Sequence, residues 1–214
     1  MKLIDTPWNT SAIIDCLKNE GVGTVIRYYN NGNSTGLPQK RLELPEAQAI
    51  SNGGLQVMVI FQLIQDSTQY FTEQQGFEAG QSAAEWAKNT IGQPAGSAIY
   101  FAVDYNPNDA EVQSNIVPYF EGVAKAFASL GGDYKVGAYG SGLVVNTLRD
   151  QSLCEFRWLS MSNGYYGTQD ALNEGNYELH QIYPSAVICN IDVDYDELNP
   201  NVKDIGSFSL NGAS

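Results

Sequence analysis

Acidic side chains close several of the most apolar runs in this chain, and acids gathered at strand ends are a common source of general acid–base chemistry. Asp5 ends Leu3-Ile4-Asp5, Asp104 ends Ile99-Tyr100-Phe101-Ala102-Val103-Asp104, and Asp192 with Asp194 closes Asn190-Ile191-Asp192-Val193-Asp194. Carboxylates crowded at one mouth raise one another's pKa, which suits one of them to hold a proton and deliver it. Each acid has a structural alternative. Asp5 can cap a following helix, and Asp104 leads into the turn-rich Tyr105-Asn106-Pro107-Asn108. Asp192, Asp194 and Asp196 alternate along an extended segment, so they share one face, which can equally be a solvated edge. The glycine and terminal glutamate of a calcium loop are missing from that segment, so no metal is expected, and no cofactor is called for.

Thirteen tyrosines and three tryptophans supply the second clue. Tyr28, Tyr29, Phe61, Tyr105, Tyr139, Trp158 and Tyr183 fall at predicted strand ends and would ring a mouth built there. An aromatic face stacks on the C–H face of a sugar while nearby polar groups take its hydroxyls; core packing is the alternative for each ring. The binding set expected on these grounds is Tyr28, Phe61, Tyr105, Tyr139, Trp158, Gln181 and Asp194. His180, beside Gln181, either donates into the site or is a satisfied structural residue. Arg27, inside an otherwise apolar strand, is expected to pair with a buried acid such as Asp5.

Positioning such residues takes a regular scaffold. Eight short apolar or β-branched runs read as strands: 2–5, 24–29, 56–61, 97–104, 135–139, 157–161, 177–182 and 188–193. Between them lie amphipathic stretches. The first is capped by Thr10 or Ser11 and closed at Glu20-Gly21, the second spans 44–51, the third spans 77–91, and the longest spans 109–130, with a kink expected at Pro118. Strands alternating with helices predict an α/β fold with a parallel sheet, and no GxGxxG or GxxxxGK[ST] marks an open nucleotide-binding sheet. The prediction is a single (β/α)8 TIM-type barrel over residues 1–200, degenerate in its later units, where 161–177 has room for little helix, with a loose tail over 201–214. In such a barrel the acids named above meet at one end, with Asp5 beside Asp192 and Asp104 across from them.

Composition narrows the partners. The chain has 214 residues, 43% apolar and 16% charged, which fits one packed domain. Twenty-four acidic against 11 basic residues leave a net charge of −13, which disfavours nucleic acid and anionic membrane surfaces. Three cysteines, Cys16, Cys154 and Cys189, form no CxxC, and the odd count leaves at least one thiol unpaired. The expectation is three small buried hydrophobes in a reducing compartment. No Sec signal or apolar span of membrane length is visible, so the expected location is the cytoplasm, or the outside by a route this sequence does not encode.

Together these pieces resemble the glycoside-hydrolase-like domains of the domain-of-unknown-function family numbered 1906, relatives of the family 25 glycoside hydrolases, the Chalaropsis-type muramidases. The resemblance runs from Leu3 to about Leu198 and is carried by Ile4-Asp5, Ile99 to Asp104, Lys135-Val136-Gly137-Ala138-Tyr139, Arg157-Trp158-Leu159, His180-Gln181-Ile182-Tyr183 and Ile191-Asp192-Val193-Asp194. It implies hydrolysis of a peptidoglycan-like amino-sugar glycan, with Asp104 in the place of the proton-donating glutamate and Asp5 and Asp192 as flanking acids. The muramidase pattern has a second acid two residues before the proton donor; here that place holds Ala102. The resemblance therefore leaves two readings, a lysozyme-like hydrolase and an inactive glycan-binding barrel. A third is a cell-wall-targeting effector delivered to another cell.

Overall fold

The computed structural model describes residues 2–30 and 40–210. Eight strands close in chain order into a barrel: β1 (Lys2–Asp5), β2 (Val22–Tyr29), β3 (Gln56–Phe61), β4 (Ala98–Ala102), β5 (Lys135–Gly140), β6 (Phe156–Leu159), β7 (Leu179–Ile188) and β8 (Ile191–Leu198). Helices pack outside: α1 (Ile14–Asn19), α2 (Leu44–Asn52), α3 (Glu73–Glu85), α4 (Asp109–Glu111), α5 (Val117–Ser129), α6 (Gly142–Asp150) and α7 (Thr168–Glu174). The fold is the expected α/β barrel. Period-two alternation gives it two cores. Leu3, Ile26, Met58, Ile60, Tyr100, Phe156, Trp158 and Leu179 fill the interior, while Val25, Val57, Val59, Phe61, Ile99 and Phe101 face outward under the helices.

β1 to β7 are mutually parallel, but β8 runs antiparallel to both β7 and β1. The expected eighth parallel strand is thus the return arm of a hairpin. Ile188 and Ile191 are joined by Cys189 and Asn190, both at positive φ (51° and 64°), as a tight two-residue hairpin turn requires. Only two residues separate the strands, so no crossover helix fits between them.

Three other expectations change. Cys16 on α1 and Cys189 at the hairpin turn form a disulfide across 173 residues, while Cys154 alone stays a buried thiol. Parity could not reveal this pair, because only barrel closure brings the turn against α1. Arg27 pairs with Glu46 on α2, not with Asp5: its Nε donates to Glu46 Oε1 at 2.8 Å, its Nη2 to Oε2 at 3.1 Å and its Nη1 to the Thr6 carbonyl at 2.6 Å. It lies on the outward face of β2, away from Asp5. The tail expected to be loose packs against the barrel from Ile205 onward, while Asn201, Lys203 and Asp204 are exposed. Phe208 bridges to Val57, Gly206 at φ 70° lies against Ala98, and Tyr100 Oη donates to the Ile205 carbonyl at 2.9 Å, sealing the barrel at the N-terminal ends of its parallel strands. Asn211 and Gly212, read as part of that tail, lie outside the described residues.

The long 109–130 stretch is one helical run from α4 to α5, and a wide π-type turn at Val112–Ile116 precedes Pro118 and absorbs the missing amide. The 161–177 connection holds the seven-residue α7.

Candidate active site

The inward alternation of each strand carries one or two polar side chains to the mouth. On β1 the inward pair is Leu3 and Asp5, and on β8 it is Asp194 and Asp196, which pair in register with Asp5 and Leu3 respectively. Three carboxylates therefore share the seam where the barrel closes. Asp192, the expected neighbour of Asp5, stands one step further out and is exposed; its carbonyl accepts from Thr6 Oγ1 at 2.7 Å. Reversal of β8 explains the difference, since a strand entering from the mouth presents its earlier residues nearer the solvent.

Asp5 is buried at 2% exposure. Tyr28 Oη donates to its Oδ1 at 2.8 Å and Gln181 Nε2 to its Oδ2 at 2.7 Å. Gln181 also reaches Asp194 Oδ2 at 3.3 Å and accepts from Tyr139 Oη at 2.8 Å. Ser185 on the hairpin donates its hydroxyl to Asp194. Burial, then the charge of Asp194, pushes the Asp5 carboxyl up to about 7, although Tyr28, Gln181 and Lys40 pull the other way. One layer deeper, Asp196 is 4% exposed and neither of its oxygens has a hydrogen-bond partner among the described residues. Burial, reinforced by Asp5, raises its pKa well above the ordinary carboxylate range. The Trp158 indole N–H is the favourable group facing it, but it too closes no hydrogen bond.

Across the mouth, β4 turns Ala98, Tyr100 and Ala102 inward, and Asp104 continues that face past the strand end. Asp104 is exposed and accepts from Gln62 Nε2 at 3.1 Å. Partial desolvation raises its pKa against the opposing pull of Lys40. Lys40 Nζ donates to Gln62 Oε1 at 2.8 Å and sits 4.3 Å over the Tyr28 ring, which places one cation between the two acidic sides. Tyr139 links them. Its phenol pKa is raised by burial and then by Asp104, Asp5, Asp196 and Asp194, so four carboxylates act on one side chain.

The aromatic set divides. Tyr28 and Tyr139 reach the mouth as hydrogen-bond donors. Trp158 is 1% exposed and forms its floor, edge-on to Tyr139 at 4.8 Å. Phe61 and Tyr29 fall on the outward parity: Phe61 packs on Phe101, and Tyr29 Oη donates to Gln93 at 2.8 Å. Tyr105 turns aside onto Phe71, with its hydroxyl on Thr68. His180 also faces outward and contacts Asn163 at 3.2 Å. Sequence reasoning missed Gln62, Lys40 and Ser185. Gln62 was legible as the next inward position after Met58 and Ile60, whereas nothing local marks the other two.

Among the described residues, no group of three or more His, Cys, Asp or Glu is arranged to hold a metal ion. None of their helices is long and apolar enough to cross a membrane.

Residues 15–197 match the family described as Rv2525c-like, glycoside hydrolase-like domain. YbfG, an uncharacterized protein of Bacillus subtilis, is 32% identical over 179 residues, which are 80% of this chain and 24% of YbfG. The chain thus spans about a quarter of that relative's length. Rv2525c of Mycobacterium tuberculosis, named as a candidate peptidoglycan hydrolase, is 23% identical over 171 residues, 78% of this chain and 67% of that protein. The crystal structure of Rv2525c, described as Tat-secreted and in complex with L-tartrate, superposes with a TM-score of 0.78 at 20% identity, covering 96% of this chain and 98% of that one. At that identity the likeness establishes the shared fold.

Proposed function

Since the chain belongs to the Rv2525c-like, glycoside hydrolase-like domain family, we propose that its barrel mouth hydrolyses a glycosidic bond in a peptidoglycan-like amino-sugar glycan. The observation that carries this reading is that one mouth carries Asp5, Asp194 and Asp196 on the β1–β8 seam and Asp104 at the end of β4. Glycoside hydrolysis needs one carboxyl that holds a proton for the leaving oxygen and a second that serves as nucleophile or activates water. Asp104 has the first role: it faces solvent, where a leaving oxygen can reach it, and desolvation favours its protonated form. Ala102 leaves no second acid on β4, so the opposing carboxylate comes from the seam, where Asp194 stands in register with Asp5. Asp194 therefore takes the part that the sequence alone assigned to Asp192. Gln181 and Tyr28 fix the orientation of Asp5, and Tyr139 holds Gln181.

Rv2525c, the relative named for peptidoglycan, supports the substrate class. The Cys16–Cys189 disulfide supports action in an oxidising compartment, in line with the Tat-secreted description of that relative.

The test is release of reducing ends from purified cell wall. Asp104→Asn is expected to lower the rate about 10²–10⁴-fold, the usual contribution of general acid catalysis, without lowering the melting temperature. Equal activity in that variant refutes the role of Asp104. Ala102 favours a second reading, a glycan-binding barrel without turnover; it predicts saturable binding of glycan fragments and no reducing ends between about pH 4 and pH 8.

A further inference from the structure

The rings expected around the mouth are mostly buried, but Tyr183, one of them, and several other large apolar side chains are left open at the rim. Tyr183 is 81% exposed and Tyr166 55%, with Ile64 and Val187 also exposed. All four lie at the mouth end: Ile64 after β3, Tyr166 between β6 and α7, Tyr183 and Val187 in the part of β7 that forms the hairpin with β8.

The two tyrosines flank the acids. Tyr183 stands two residues past Gln181 on β7, where the pairing with β8 shifts register between Ile182 and Ala186. Two residues later, Ser185 donates to Asp194. On the other side, the Tyr166 amide donates to Asn106 Oδ1 at 2.9 Å, which ties the β6–α7 connection to the segment two residues past Asp104. The disulfide at Cys189 and the Thr6 contact to Asp192 brace the hairpin.

We propose that Tyr166 and Tyr183 are stacking platforms at opposite sides of the acids, so that the mouth binds an extended amino-sugar strand crossing the whole rim, and not a lone disaccharide. The inference rests on the glycan reading of the mouth. A pyranose ring lays its C–H face on a tyrosine ring, and two such rings astride a pair of acids hold a strand with one of its bonds over the carboxylates. A strand of this kind is uncharged at its sugar rings, so an acidic mouth does not repel it.

Isothermal titration of the Asp104→Asn protein with the N-acetylglucosamine hexamer and dimer tests this, because only the longer oligomer reaches both platforms. The hexamer is expected to bind at least about tenfold more tightly than the dimer. Changing both Tyr166 and Tyr183 to Ala lowers that ratio about tenfold, whereas changing both to Phe preserves it, since Phe keeps the stacking face. Both positions are exposed, so melting temperatures stay within a degree or so of the parent. Equal affinity for the two oligomers, or a ratio that survives the double Ala change, overturns the platforms and leaves the glycan reading standing. Absence of binding to either oligomer, together with no cleavage of cell wall by the unaltered protein, overturns the glycan reading and the platforms with it.

Discussion

Asp196 shows most plainly what the mouth costs the fold. Its carboxyl lies inside the barrel with no hydrogen-bond partner among the described residues, facing Asp5 and Asp194, with the Tyr28, Tyr100 and Tyr139 phenols also in electrostatic reach. Burial and then Asp5 hold its pKa well above the usual value near 4. A folded pKa above the unfolded one means that stability is fully present below about pH 4 and declines as pH rises toward the folded value. Asp196→Asn is therefore expected to leave the melting temperature unchanged at pH 4 and to raise it at pH 8, followed by thermal unfolding at both. A gain of the same size at both pH values would show that the carboxyl does not carry the proton. Asp5 has the same sign, with its loss accumulating between about pH 4 and its folded value of about 7. Asp5 and Asp104 were legible because each closes an inward period-two run. The choice among Asp192, Asp194 and Asp196 was not, since alternation carries no information about strand direction. Phe61 failed for a related reason: an aromatic at a strand end looks the same on either parity, and only pairing shows which face is the mouth.

At the scale of elements, β2 is held to α2 and to the loop after β1 by one buried ion pair. Glu46 accepts from Arg27, from the Thr10 amide at 2.8 Å and from the Thr10 hydroxyl at 3.0 Å, all away from water. Removing one member of such a pair strands the other charge inside the protein, at a cost of about 3–5 kcal/mol. Glu46→Ala is expected to lose that much in chemical denaturation, whereas changing Arg27 to Met and Glu46 to Leu together loses far less; equal losses would contradict the account. Thr10, read as a candidate cap for α1, serves Glu46 instead, and α1 begins at Ile14 with no side-chain cap. Propensity located the first six strands to within a few residues because they are continuous apolar runs, whereas β7 runs six residues past its predicted end and the run 188–193 straddles the hairpin turn. It could not locate a partner thirty-six residues away on another element.

For the whole molecule, the α/β barrel was legible from eight apolar runs and the helical periods between them. The reversal of β8 was not, and Cys16–Cys189 depends on where that hairpin turn falls. That bond encloses most of the chain in one covalent loop, so the unfolded state loses much of its freedom, a stabilisation of about 5 kcal/mol in the chain-entropy view. Reductant is expected to lower the denaturation midpoint of the unaltered protein and to leave that of a Cys16→Ser, Cys189→Ser variant in place. A matching drop in both would trace the effect elsewhere.

The reversed last strand carries the chain back to the pole from which β1 rises, a journey that a helix makes in a barrel of parallel strands only. Lys2 and the packed segment beneath the barrel consequently lie on the side remote from the acids. The first and last described residues, Lys2 and Leu210, thus both lie at that pole, and neither end of the described chain crosses the opening.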